Sequence, residues 1–324
     1  MFAYTLRRIL IAVPVLLGVT VINFIIMKMA PGNPVDLLVN PKLPEAAREA
    51  KRLELGLDAP AWVQYWNWLK NIVLHGDLGY SMVTHEPVAR MIASKLGPTL
   101  LLTGSALILG LLIAIPIGIC SAVRQYSRLD YLFVTGSLLG ISIPGFFLGL
   151  ILIYVFALKL GWLPSGGMTE LGAENGFWSR LRHMVLPVTV LAANVAGRNI
   201  RYVRSGMLEI LGQDYLRTAR AKGLKEIRVI GLHGVRNALI PIVTVLGLEI
   251  PVLFGGAVII EQIFSWPGIG QLTLSSIMSR DYSTIMGLNL VAAVVVIAAN
   301  LLTDLAYAVV DPRIRNSYRE AARR

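Results

Sequence analysis

Apolar residues fill long, nearly uninterrupted stretches of this sequence, and polar positions gather between them. The apolar stretches are residues 9–29, 100–123, 131–158, 184–197, 239–260 and 284–310. A helix rises about 1.5 Å per residue, so roughly 20 residues cross the ~30 Å hydrocarbon core of a bilayer. Five of the six stretches reach that length. The stretch at 184–197 is shorter and contains Asn194, so it spans only if a helical continuation follows Gly197. A helix satisfies its backbone polar groups internally, as lipid demands. The pattern predicts an all-α polytopic membrane protein with about six transmembrane helices.

The first stretch follows Arg7 and Arg8 and ends in Lys28-Met29-Ala30-Pro31-Gly32, without a small-residue cleavage site. It reads as an uncleaved first helix rather than a signal peptide. Residues 30–98 are patterned differently and predict a locally folded outer segment. Residues 44–55 have helical composition. Asp58-Ala59-Pro60 starts a second helix through Trp62, Tyr65, Trp66, Leu69, Ile72 and Val73, which His75-Gly76-Asp77 stops. Its aromatic residues suit anchoring at the membrane interface better than a ligand path. Prolines recur in the spans at Pro14, Pro116, Pro144, Pro187, Pro241 and Pro251, and predict kinks whose freed carbonyls neighbouring helices satisfy. Gly136/Gly140 and Gly145/Gly149 are small-xxx-small spacings suited to close helix contact.

Composition agrees with a lipid solvent: 55% of the residues are hydrophobic, 15% are charged, and mean hydropathy is +0.65. The single Cys120 lies within a span and reads as packing. The net charge of +11 raises the question of nucleic acid. Its distribution answers otherwise, and no basic block interleaved with aromatics is present. With six spans and the N-terminus inside, the inner segments are 1–8, 124–130, 198–238 and 311–324. These hold eighteen Lys/Arg against six acidic residues, while the outer segments hold twelve against eleven. That asymmetry obeys the positive-inside rule and requires the 184–197 stretch to cross. Both termini are expected in the cytoplasm.

The inner loop 198–238 carries the most information. Arg198, Arg201 and Arg204 repeat every three residues as the fourth helix leaves the bilayer, and contact with lipid phosphates is expected for most of them. Beyond them stands Tyr215-Leu216-Arg217-Thr218-Ala219-Arg220-Ala221-Lys222-Gly223. Small residues on a short helix let another protein's backbone approach closely, with Tyr215, Arg217 and Lys222 at the edge. A docking knob and a helix resting on lipid both fit that pattern.

This loop resembles the EAA loop of binding-protein-dependent ABC importer permeases, in particular the dipeptide/oligopeptide/nickel branch. Arg217 and Thr218 stand where the general motif has Glu and its first Ala, whereas Ala219 and Gly223 match. The resemblance extends through Leu6-Arg7-Arg8 to Ala30-Pro31-Gly32-Asn33-Pro34, Gly76-Asp77-Leu78-Gly79-Tyr80-Ser81, Phe264-Ser265-Trp266-Pro267-Gly268-Ile269-Gly270, Arg280-Asp281-Tyr282 and Asp311-Pro312-Arg313-Ile314-Arg315. It implies a type I importer fold in a prokaryotic inner or plasma membrane. The implied partners are a homologous second permease, two cytoplasmic ABC ATPases that bind ATP-Mg, and an extracytoplasmic solute-binding protein. Tyr215, Arg217, Thr218, Ala219, Ala221, Lys222 and Gly223 would couple to an ATPase. The implied substrates are di- or oligopeptides, with nickel or another small solute as the alternative.

The residues themselves fit a subunit that is not an enzyme. No GxxxxGK[ST] phosphate loop is present, and the four histidines show neither HExxH nor a paired metal spacing. No cofactor or metal is expected in this chain. An ATPase-independent secondary transporter would need internal repeats around midplane ionisable groups, and no clear repeat is visible. Asn23, Asn194, Glu249, Asn289, Asn300 and Asp304 lie at membrane depth, where ionisable groups are functional candidates. Glu249, Asn194 and Asn289 are the expected translocation-path residues, Glu249 through contact with a substrate amine or amide. Bundle-holding hydrogen bonds are the other reading of Glu249. Asp304 is expected to pair with a basic residue near the inner end. Ser265-Trp266-Pro267-Gly268 predicts a tight turn on the outer side. The chain thus divides into 1–95 (first helix and outer segment), 96–310 (transmembrane core with its coupling loop) and 311–324 (basic tail).

Overall fold

A computed structural model describes residues 2–29, 58–170 and 176–310. The helix expected at 44–55, the motif at 30–34, the basic tail and the side chain of Asp304 lie outside the described residues. Helices cover all six apolar stretches. They are α1 (Phe2–Met29), α2 (Ala61–His75), α3 (Val88–Val123), α4 (Arg128–Ser142), α5 (Gly145–Leu152), α6 (Phe177–Leu211), α7 (Asp214–Ala221), α8 (Arg236–Ile263), α9 (Ile269–Met278) and α10 (Tyr282–Val310). Among the described residues, α1, α3 and α10 are long and apolar enough to cross a membrane, and α4 with α5 forms a bent fourth candidate.

That bend corrects the expectation of one helix over 131–158. The chain turns by 96° between α4 and the segment Gly145–Lys159. Ring atoms of a proline disfavour helical backbone at the preceding residue. Ile143 accordingly takes φ −80°, ψ 118° before Pro144, and the ladder stops instead of kinking. Beyond α5 the helix widens into π-type hydrogen bonding over Ile153–Lys159. α3 also begins twelve residues before the apolar stretch it contains, at Val88 rather than Leu100.

The described residues fall into two compact units. One is built from 2–8, 99–170, 176–266 and 296–310. Its hub is α6, which packs extensively on α4 and α8. Leu102 and Ala106 of α3, Val190, Leu191 and Val195 of α6, Leu253 and Ile260 of α8, and Phe264 and Trp266 beyond it share one core. Lipid tails are as apolar as these side chains, so close packing rather than water exclusion must hold such helices together. The closest approaches occur where glycine removes a side chain. A methyl group at Gly110 would stand 2.6 Å from Val195 Cβ, and one at Gly118 2.6 Å from Val203 Cβ. Gly197 likewise abuts the Ser137 carbonyl oxygen, 2.9 Å from where its Cβ would lie. The small-xxx-small pairs are split by comparison. A Cβ at Gly149 would lie 3.2 Å from the Phe264 ring, whereas one at Gly136 would meet no atom of the described residues within 4 Å beyond its own helix.

The other unit comprises 9–29, 58–98 and 267–295. α2 starts after Pro60 and stops at Gly76, whose φ of 64° lets its N–H cap the Ile72 carbonyl. Tyr65 of α2 shares a 2.9 Å hydrogen bond with Thr20 and meets the Phe24 ring edge-on, fixing α2 on α1. Trp62 and Trp66 stay exposed, as interfacial anchors do. The motifs at 76–81 and 280–282 meet in one knot. Buried Asp281 accepts hydrogen bonds from Ser81 Oγ, from Met82 N at 3.0 Å and from Thr284 Oγ1 at 2.7 Å, and so ties the turn after α2 to the start of α10.

Candidate functional site

α6 leaves its packed region at Leu211, and Gln213 opens α7 with extended backbone. α7 is short and strongly two-faced. Leu216 and Ala219 are buried against Val229, with Ile210, Leu211 and Leu224 around them. Tyr215, Arg217, Thr218, Ala221, Lys222 and Gly223 are exposed. Six of the seven expected coupling residues therefore form an outward face, while Ala219 serves as an anchor. Asp214 places a carboxylate in the first turn, where the helix dipole favours it, and lies 3.5 Å from Arg217.

The turn that ends α7 needs glycine for its backbone. Gly223 has φ 76°, in the left-handed region that side chains disfavour. Its N–H bonds the Arg220 carbonyl at 2.9 Å, and among the described residues nothing beyond its chain neighbours lies within 4 Å of where its Cβ would be. The reason for glycine is thus conformation rather than lack of room. Arg220 closes the turn by donating to Glu226 at 2.8 Å, a contact absent from the sequence reading. The guanidinium holds the Glu226 carboxyl below its usual range, and the carboxylate raises Arg220 in return. Past Glu226 the chain runs through a π-type stretch, Val229–Val235, into α8.

Two of the three arginines on α6 do not face phosphates, a correction to the sequence expectation. Arg204 donates from Nε and Nη2 to Asp130, both at 2.8 Å. Asp130 also accepts from Ser121 Oγ and from Tyr126 N at 2.9 Å, so a single carboxylate joins α3, α4 and α6. Arg198 donates to Glu249 from Nε at 3.2 Å and from Nη2 at 2.7 Å, and Asn199 adds a third bond at 3.0 Å. A buried acid and a helical arginine 51 or 74 residues apart cancel each other's charge, so lipid phosphate is not required. Arg201 is exposed.

Beside that pair lies an open pocket of about 320 Å³ lined by α5, α6 and α8. Asn194 and Arg198 give it a polar end, and Phe146, Val252 and Ile259 are among its apolar walls. Asn194 donates to the Val190 carbonyl at 3.1 Å. Asn289 lies in the other unit and donates to Asn23 at 3.3 Å, linking α1 to α10. Sequence reasoning missed Glu261, which is fully buried and accepts from Thr99 Oγ1 at 2.6 Å. Its backbone carbonyl accepts the Trp266 N–H at 2.8 Å, which folds the expected turn at Ser265. A signal was available: an acid at the very end of an apolar stretch, shortly before a turn motif.

Lipid-length helices joined by largely buried ion pairs define a polytopic membrane protein. The chain belongs to the family described as "Binding-protein-dependent transport system inner membrane component", whose model matches residues 114–316; a model described as "Binding-prot-dependent transport system membrane comp, N-term" matches residues 1–103. It is 49% identical over 316 residues to the oligopeptide transport system permease protein AppB of Bacillus subtilis, covering 97% of this chain and 99% of that one. It is 40% identical over 315 residues to the glutathione transport system permease protein GsiC of Escherichia coli K12, with the same coverage. The fold is shared with a chain of the inward-facing MetNI methionine ABC transporter, at TM-score 0.58 and 16% identity over 69% of this chain and 97% of that one. The protein is therefore a multi-pass permease subunit of the bacterial inner membrane and is not itself catalytic.

Proposed function

We propose that this chain forms half of the translocation path of a peptide importer, with α7 and the turn at Gly223 as the element that an ATPase moves. The elbow carries this reading. Leu216 and Ala219 fix α7 rigidly beneath the end of α6, while a basic, small-residue face is left open. The peptide assignment is supported by the oligopeptide permease that matches nearly the whole chain. A homologous second permease completes the path, and two cytoplasmic ABC ATPases hold ATP-Mg. A solute-binding protein delivers substrate from outside. Residues 1–95 supply the first helix and outer segment, 96–310 the transport core, and 311–324 a basic tail, with both termini in the cytoplasm. Asn194 faces the path and Glu249 sets the charge behind it, while Asn289 is a further candidate path residue within the other unit. Work is done only if the elbow fits two ATPase states unequally, since equal binding shifts nothing.

Gly223→Leu tests the proposal. Left-handed backbone costs a residue with a side chain about 1–2 kcal/mol, and the new side chain fills the open space. The variant is expected to reach the membrane at normal abundance but to lose ATPase co-purification or at least about tenfold of ATP-driven peptide uptake. Wild-type uptake by this variant overturns the coupling role. Nickel uptake without peptide uptake by the native transporter overturns the substrate class.

A further inference from the structure

We infer that Arg198, steadied from behind by Glu249, is the group in the pocket that receives the carboxylate of a passing peptide. This deepens the peptide reading and rests on it. The placement reverses what the sequence suggests for the two residues. Glu249 has only 5% of its side chain exposed and accepts three hydrogen bonds, two from Arg198 and one from Asn199. Its oxygens are engaged, and it does not line the pocket. Arg198 has 30% of its side chain exposed and does line it. It spends two of a guanidinium's five N–H donors on Glu249.

The planar fork of arginine matches a carboxylate better than any other side chain does. Asn194 stands one helical turn earlier on the same face of α6 and adds a polar group to the same end. Phe146, Val252 and Ile259, each about half exposed, give the rest of the pocket an apolar lining, so Arg198 is its charged group. Glu249 limits the strength of a contact made there, because it already cancels much of the arginine's field. A path needs that balance: binding strong enough to admit the substrate and weak enough to release it.

Membrane vesicles containing the complete transporter provide the test. ATP-driven uptake of a labelled tripeptide with a free C-terminus is compared with uptake of its C-terminal amide. The solute-binding protein is the same throughout, so any change in the acid-to-amide ratio reports on the permease. Arg198→Gln is expected to lower that ratio about tenfold, the size of one lost charge-assisted hydrogen bond. Arg198→Lys keeps most of the preference, and Glu249→Gln keeps or raises it because the arginine is then less neutralised. Equal loss of both forms in Arg198→Gln overturns the inference, as does a fall of the ratio in Glu249→Gln. If Arg198→Gln fails to accumulate in the membrane, the ratios of the other two variants decide by the same criteria. Native vesicles that import neither form overturn the peptide reading itself, whereas equal loss overturns only the role of Arg198.

Discussion

Replacing Asp130 by Asn tests how far the packing of the transport core depends on one ion pair. The carboxylate is 4% exposed and Arg204 is 22% exposed. Asp130 receives two bonds from the guanidinium, one from Ser121 and one from a backbone N–H. An amide keeps the shape and one acceptor oxygen but leaves Arg204 charged and half-partnered. Breaking one side of a buried pair costs about 3–5 kcal/mol, and the partial exposure of Arg204 favours the low end, about 3 kcal/mol. At roughly 2–4 °C per kcal/mol, the midpoint of thermal unfolding should fall by about 6–12 °C. Unfolding in detergent micelles, followed by size-exclusion chromatography after heating, measures this directly. A cycle with Arg204→Gln isolates the pair. The double variant should cost about as much as either single one, because the second substitution removes a charge that the first had stranded. Additive losses, or a fall of less than 2 °C in Asp130→Asn, would show that the three helices do not depend on the pair.

Two further outcomes follow from geometry. Gly110→Ala should destabilise by about 1–3 kcal/mol through overpacking, while Gly136→Ala, which meets no described atom within 4 Å outside its own helix, should keep or slightly raise thermal stability through helix propensity; equal effects would refute the helix contact. The Arg220–Glu226 clasp should respond to pH in one direction only. Glu226 is held below an ordinary value near 4.5, so the clasp's contribution is complete above that pH and is lost as pH falls through the lowered value. A nitroxide at Lys225 should accordingly keep constant mobility from neutral pH through Glu226's ordinary value and loosen only as pH falls through the lowered one. In Glu226→Gln it should be loose at neutral pH, and an unchanged spectrum in that variant would refute the clasp.

What was legible in the sequence is what depends on composition and period. Apolar runs placed α1, α3, α6, α8 and α10, and the start at Asp58-Ala59-Pro60 with the helical spacing of Trp62, Tyr65, Trp66, Leu69 and Ile72 located α2 together with its stop at Gly76. The elbow was legible because Gly223 and its small neighbours break the surrounding pattern. Pairings across helices were not, since they depend on how each helix is rotated about its axis. Arg204 is closer in sequence to Glu209 than to Asp130, yet it meets Asp130. The glycine contacts escaped for the same reason: Gly110 and Gly118 repeat at eight residues, and only the facing Val195 and Val203 give that spacing meaning. Proline in a lipid-embedded helix is compatible with either a kink or a break, so the bend at Pro144 needed the structure to decide it.

Gly110 and Gly118 lie about 12 Å apart along α3, as do Val195 and Val203 along α6, so the two helices mesh like matched gear teeth. Sliding either rod along the other would force a valine over the backbone shoulder beside each glycine. The easier motion is for both to tilt as one stiff shaft. A push at the foot of α6 would then swing α3 with it, and the stroke would reach the far leaflet as leverage.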